Sequence, residues 1–206
     1  IAVVAVYLWM MFESRMNRYS RIVGTFAFAW RLVLTTGTGL IFGVLVAREA
    51  YSAAIMAPLF ILHSLSLGTA SFLLVLVVAF HGSGQVLDMV LVRKLSKLLG
   101  WFVLAVLAIV AVHHLSNVYV ARHHGIERFI LLDGGVYPVL FWGVQIFFGS
   151  LVPVFLLLLR SRVTLRALMV SAVLVVVGGL AQIYVIIIGG QAYPLSIFPG
   201  YDVESG

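Results

Sequence analysis

The 206-residue chain contains no cysteine. It can form no disulfide and ligate no cysteine-bound cluster, so any iron–sulfur chemistry must belong to a partner. Charge is scarce too: 10% of residues are charged, against about 25% in ordinary soluble domains. Only seven residues are Asp or Glu. With 63% hydrophobic residues and a mean hydropathy of +1.17, a soluble fold is excluded, because a chain this small leaves much of its surface exposed. Alternating segments of ~10 residues are missing as well, which excludes a transmembrane barrel.

What is present is a series of charge-free runs, among them Phe72–Phe80, Phe102–Val112 and Val170–Leu180. A helix needs roughly 20 apolar residues to cross the ~30 Å hydrocarbon layer. The pattern predicts an all-α, polytopic transmembrane bundle forming one integral membrane domain. Segments are expected near 1–12, 22–47, 52–80, 99–120, 136–159 and 164–189. The first reads as the end of a cut helix, since the chain opens on Ile1 inside an apolar run. That leaves about five complete helices, with further helices expected before and after them. Between Gln85 and Leu99, apolar Val86, Leu87, Val90, Leu91, Leu95 and Leu98 alternate at helical spacing with Asp88, Arg93, Lys94 and Lys97. This reads as an amphipathic segment at the interface ahead of the next span.

A net charge of +6 and a pI of about 10.0 would fit nucleic acid if the basic residues formed a stripe. They fall instead in short clusters between spans, so no nucleic-acid partner is expected. The first loop carries Arg15, Arg18 and Arg21, the third Arg93, Lys94 and Lys97, the fifth Arg160, Arg162 and Arg166. The second pairs Arg48 with Glu49, the fourth balances Arg122 and Arg128 against Glu127 and Asp133, and the tail holds Asp202 and Glu204. By the positive-inside rule the odd loops are cytoplasmic, and the even loops and the tail face outward. The expected location is the cytoplasmic (inner) membrane of a prokaryote.

Ionisable groups at membrane depth are functional candidates by default. Arg31 and His63 fall at similar depth in antiparallel segments and, with Thr35, Thr36 and Thr38, compose a candidate proton or charge relay, to which mid-span Gln145 is added. The alternative is an arginine satisfied by carbonyls within the bundle. The outer ends of two later segments offer His114, Asn117, Tyr119, Gln182 and Tyr184 as donors for the two carbonyls of a quinone, with His113 and Asn117 on one face. Ordinary interhelical hydrogen bonding and an aromatic belt would account for the same residues. Haem b needs two imidazoles facing each other across helices, a pattern the few span histidines support weakly. His123 and His124 read as a solvated polar turn; no metal site is expected, since no carboxylate is spaced beside them as in a zinc motif.

Several phrases resemble the NrfD/PsrC family, the membrane subunits of polysulfide reductase. Thr38-Gly-Leu-Ile-Phe-Gly43, Ala47-Arg48, Pro58 and Ser64-Leu-Ser-Leu-Gly68 follow the pattern of two successive family helices. Phe141-Trp142-Gly-Val-Gln145, with Gly149 and Pro153, resembles a later one. Gly189-Gly-Gln-Ala-Tyr-Pro-Leu-Ser-Ile-Phe-Pro-Gly-Tyr201 is similar to the DsrP-like branch of sulfite-reductase-associated complexes. The resemblance implies an eight-to-ten-helix subunit that exchanges electrons with menaquinone or ubiquinone as an exchangeable substrate. It implies no haem or flavin of the subunit's own. The partners would be a ferredoxin-like iron–sulfur subunit on the extracytoplasmic side and other membrane or cytochrome subunits, in sulfur metabolism. Arg48, Arg122, Tyr193 and Tyr201 lie in the outer loops that would dock them. Two departures bear on the relay: Thr35-Thr36-Gly37 stands where many relatives carry a His-Ser-Tyr-like triplet, and Gln145 where relatives often carry Glu. Both remove ionisable groups.

Two other functions compete with a quinone-reactive electron-transport subunit. A haem-b membrane anchor would show a Soret band. A secondary transporter would show pseudo-symmetric halves, and no internal repeat is evident.

Overall fold

The computed structural model describes residues 20–45, 51, 54–83, 88–160, 164–198 and 201–203, without the side chains of Ser20, Arg122, 195–198 and 201–203. The expected segment 1–12, with Arg15, Arg18, Arg48 and Arg162, lies outside the described residues. Five helices are long and apolar enough to cross a membrane: α1 (Ser20–Gly43), α2 (Met56–Ser83), α3 (Met89–Tyr119), α4 (Val136–Leu159) and α5 (Leu165–Ala192). The chain is thus an all-α, multi-pass membrane protein. In lipid a helix is the segment that satisfies its own backbone hydrogen bonds, which is why these apolar runs fold this way.

Helices α2 to α5 close into a ring, each packed on the next and α5 back on α2, while α1 lies against α2. One core cluster joins Ala70, Leu73, Leu99, Leu157, Leu168 and Ala172, drawn from all four ring helices. A second, nearer the other end, is built on Leu59, Val106, Val110 and Phe141. Large apolar side chains such as Phe28, Val75, Leu115 and Leu180 point outward, where lipid is the solvent. Since lipid is as apolar as leucine, helices associate through close packing rather than hydrophobic burial. Gly149 and Gly178 make the tightest such crossing: a Cβ on Gly149 would lie 2.6 Å from the Gly178 Cα. Gly39 does the same for α1, where a Cβ would meet the Ala57 Cα at 2.6 Å.

Of the amphipathic segment expected at 85–99, residues 85–87 lie outside the described residues, and the rest does not form a separate interfacial element. From Met89 onward it is the first three turns of α3. The Asp88 side chain caps this helix by accepting a 2.8 Å bond from the Val90 N–H. No proline or glycine interrupts it before Gly100, and Gly100 is itself buried against Leu158 of α4. Arg93, Lys94 and Lys97 stand exposed while Val92, Ser96 and Leu99 are buried. With Arg21, Arg160 and Arg166, also exposed, they form a basic collar at one end of the bundle.

Helix α4 winds mostly with i→i+5 turns, over Val139–Leu151 and Phe155–Leu159, around one α-turn at Val152–Val154. Its buried residues include Phe141, Gln145, Gly149, Pro153 and Leu157, every fourth position. At ~3.6 residues per turn such a stripe would drift around the helix. The wider turns hold it on one face, and that face carries Gln145 into the bundle. Between α3 and α4, at the end away from the basic collar, runs a connector of three short helical turns, Ala121–His123, His124–Arg128 and Phe129–Asp133. Gly135, at φ +61°, turns the chain into α4 in a conformation that favours glycine. Past α5, Leu195–Phe198 and Tyr201–Val203 pair as an antiparallel hairpin, β1 and β2, with Leu195 opposite Val203.

Candidate functional site

Among the described residues, the buried histidine, carboxamide and carboxylate side chains gather in two places, with Gln182 at both. The first is a cavity of about 590 Å³ between α1, α2 and α5. Its polar wall is made by Arg31, Thr35, Thr38, His63, Ser64 and Gln182, and its apolar wall includes Leu59, Phe60, Leu67 and Ile186. Arg31 and His63, expected at one depth, do line one space. Arg31 is exposed at its edge, whereas His63 is buried. Neither His63 ring nitrogen makes a hydrogen bond within ordinary distance and angle, although the Gly179 backbone lies close enough to interact with the ring. The threonines do not serve as a free hydroxyl chain. Thr35, Thr36 and Thr38 donate to the carbonyls of Arg31, Leu32 and Leu34 at 2.9, 2.8 and 3.0 Å. A hydroxyl that bonds back to its own helix keeps acceptor lone pairs and has no proton to pass on.

The second place lies at the end of α3, where the connector folds back over it. Glu127, 3% exposed, accepts a 2.7 Å bond from His114 Nδ1 on one carboxylate oxygen and a 2.7 Å bond from Asn117 Nδ2 on the other. Asn117 Nδ2 also faces His113 Nε2 at 3.3 Å, and its Oδ1 faces His123 Nδ1 at 3.2 Å. Desolvation pushes the Glu127 carboxyl up, but the bond and charge of His114, the bond from Asn117 and the charge of His113 together hold it below its ordinary value of 4.5. A carboxylate accepting on both oxygens fixes the protons around it. His114 carries its proton on Nδ1, leaving Nε2 as a base; Asn117 gives one N–H to Glu127 and one to His113 Nε2; His113 then carries its own on Nδ1.

Gln182 lines the large cavity and also the small pocket beside this cluster, together with His113, His114, Asn117, Glu127 and Gln145. Gln145, placed in the relay on sequence, lines this small pocket and, with His63 and Gln182, a second small one, but not the large cavity. Of the five quinone candidates, His114, Asn117 and Gln182 share the small pocket. Tyr119, 91% exposed, and Tyr184, exposed and stacked on Tyr137 at 6.2 Å, stand outside it. Of the docking candidates, Tyr193 is half-buried and packs on Phe129 of the connector. Arg48 and the side chains of Arg122 and Tyr201 lie outside the described residues.

Two residues were missed. His123 is not a solvated turn residue: it is buried, because the connector is helical and its Ile126 and Ile130 pack on Val185. Glu127 was counted only as loop charge. The signal was available, since His123, Ile126, Glu127 and Ile130 recur at helical spacing. Among the described residues no group of three or more histidines and carboxylates is arranged to hold a metal.

Residues 1–194 match the family described as polysulphide reductase, NrfD. Over 204 residues the chain is 28% identical to the Hdr-like menaquinol oxidoreductase integral membrane subunit of Archaeoglobus fulgidus. The match takes in 98% of this chain and 51% of that protein, so the chain spans about half the length of the relative. No solved structure matches it.

Proposed function

Because the chain belongs to the NrfD polysulphide reductase family, we propose that it is the quinone-interacting part of a membrane redox complex, exchanging electrons between menaquinone or ubiquinone and an extracytoplasmic iron–sulfur partner. The observation that carries this reading is the cavity of about 590 Å³ between α1, α2 and α5. Its volume falls within the ~300–1,000 Å³ of small-molecule sites, and mostly apolar walls with a few convergent polar groups suit a quinone ring. Arg31, His63 and Gln182 supply N–H donors for the ring oxygens. The menaquinol named for the Archaeoglobus fulgidus relative supports the same substrate.

Chemically the subunit has little to do beyond orientation and proton handling. Quinol gives up two electrons and two protons on becoming quinone; the electrons pass to the partner's cluster, and the protein must hold the ring and accept the protons. Arg31, always charged, favours the anionic forms through which either direction passes. The partner sits at the end of the bundle bearing the connector and the β1–β2 strands, with Arg48, Arg122, Tyr193 and Tyr201 as the docking residues expected from the sequence. The basic collar faces the cytoplasm of a prokaryotic cell. The DsrP-like tail sequence supports a setting in sulfur-compound metabolism.

A photoreactive quinone analogue, applied to the full-length subunit in its complex, is expected to label peptides of α1, α2 and α5 and to be displaced by menaquinol. Arg31→Met is expected to raise KM for quinol at least tenfold while assembly of the complex is unchanged. Labelling confined to other helices, with Arg31→Met indistinguishable from the parent, would refute the assignment.

A further inference from the structure

Between the cavity and the Glu127 cluster lies a set of orphaned polar atoms whose chemistry is complementary. Gln145 Oε1 and Gln182 Oε1 are buried acceptors with no hydrogen-bond partner, and His113 Nδ1 is equally buried and unpartnered. The protons fixed by Glu127 and Asn117 make that nitrogen a donor. All three residues line one pocket of about 20 Å³. A buried water needs roughly 10–15 Å³ and makes about three hydrogen bonds. One donor and two acceptors around a space for one water match three of the four bonds a water can make, using one lone pair and both protons and leaving the second lone pair free. A second pocket of about 10 Å³ continues the series, lined by His63, Ser66, Gln145, Ser150 and Gln182. Both nitrogens of His63 are unpartnered there.

We propose that a water held by His113, Gln145 and Gln182, with a second beside His63, links the large cavity to the Glu127–His114 pair as an exit route for protons of the bound quinol. This rests on the quinone reading of the cavity. Quinol passing two electrons to the iron–sulfur acceptor releases two protons. His63, on the cavity wall, takes them one at a time on a ring nitrogen and passes each to the water file. The glutamines hold these waters in place and carry no proton themselves. The water in this pocket takes the proton on its free lone pair and passes one on to His114 Nε2, which lines the same pocket, for release at the connector face. Glu127 is a positioning residue: by accepting from His114 Nδ1 at 2.7 Å it keeps Nε2 free as the base and stabilises the imidazolium that forms. His63 then resets by giving up the proton before the next turnover, so no group ends in a changed state.

Two measurements test this, and the first is independent of quinone. Met56 is fully buried yet lines the pocket with Gln145 and Gln182. Radiolytic hydroxyl-radical labelling of the full-length subunit in nanodiscs should oxidise Met56 within threefold of the rate at the exposed Met89. Gln145→Leu, which fills the water site with a methyl group, should cut the Met56 rate at least fivefold. A Met56 that stays unmodified in the parent overturns the water file. The second uses the complex with quinol. Gln145→Leu and Glu127→Gln should each slow turnover at least tenfold with quinol Kd within twofold, and the solvent deuterium isotope effect should rise. Gln145→Glu, which keeps polar atoms in the pocket, should restore most of the rate. Parent-like turnover in Gln145→Leu, or a loss of turnover explained by lost quinol binding, overturns the route. If the unmodified complex binds no quinol, the functional reading falls, and Met56 labelling still decides whether the water site exists.

Discussion

Replacing Glu127 tests the cluster most directly, because its contribution can be worked out bond by bond. The carboxylate is 3% exposed and takes two bonds of 2.7 Å. A hydrogen bond to a charged group contributes ~1.5–3 kcal/mol net, a neutral one ~0.5–1.5. Glu127→Gln keeps an oxygen for Asn117 but presents an amide N–H to His114, which must move its proton to Nε2. Two charge-assisted bonds become neutral ones, while the desolvation cost of the carboxylate disappears. The expected net loss is about 1–2 kcal/mol. Glu127→Leu leaves the buried Asn117 donor and the half-buried His114 donor unpaired, for a loss of ~2–5 kcal/mol at ~1–3 kcal/mol each. Equilibrium unfolding of the full-length subunit in mild detergent should give the order parent, then Gln, then Leu. The pH dependence has a definite sign. Glu127 lies below 4.5 when folded, so its contribution is complete above that value and is lost as pH falls through the lower folded one. The gap between parent and Glu127→Gln should be flat at higher pH and narrow below about 4.5, with His113 and His114 of α3 and His123 of the connector facing the carboxylate in both. A Glu127→Leu variant as stable as the parent would refute the cluster.

Two further predictions concern the frame around the sites. Gly178→Ala, whose Cβ would collide with the Gly149 Cα, should cost ~1–3 kcal/mol as α4 and α5 are forced apart. Gly37→Ala, with nothing within 4 Å, should be neutral or stabilising by up to ~1 kcal/mol, and thermal unfolding of the pair separates crowding from helix propensity. Tyr51→Phe removes the 2.6 Å bond from the hydroxyl to the Ile187 carbonyl. A loss of ~0.5–1.5 kcal/mol is expected, with faster amide exchange at Val185–Gly189 in hydrogen-exchange mass spectrometry.

The bundle was legible because lipid imposes a length and a polarity that composition alone reports. The sites were legible only as depth. Arg31 and His63 could be set at one level by counting 1.5 Å per residue, and they do share a cavity. Counting says nothing about the direction in which a side chain points, and Tyr119 and Tyr184 share the depth of His114 and Asn117 but face outward. In α4 the wide turns moved the buried face onto every fourth residue, so a reading at 3.6 residues per turn could not say where Gln145 goes. At 85–99 the lysines and arginine looked interfacial, and so they are, yet the backbone beneath them is simply α3 begun early. Loop residues were the hardest, because solvent is the default expectation for a His-His-Gly turn, and the helical spacing of His123, Ile126, Glu127 and Ile130 that argues otherwise spans barely two turns.

The position of Glu127 also bears on the absence of a glutamate at Gln145. With Gln145 neutral, the buried anion of the cluster is carried by the connector, at the rim, and not by α4 in mid-membrane. A mid-span carboxylate would have to be neutral at rest to escape the cost of burying a charge, and so would act as a proton donor or acceptor in its own right. A rim carboxylate with two donors is stable as an anion. It organises histidines and waters instead of titrating itself. Among the described residues, the Arg31 guanidinium thus stands at the edge of the cavity where a quinone would bind, and a stabilised buried anion stands where protons would leave. The neutral amides of Gln145 and Gln182 bridge the two. A cation at the cavity and an anion at the exit set a field that draws protons from one to the other.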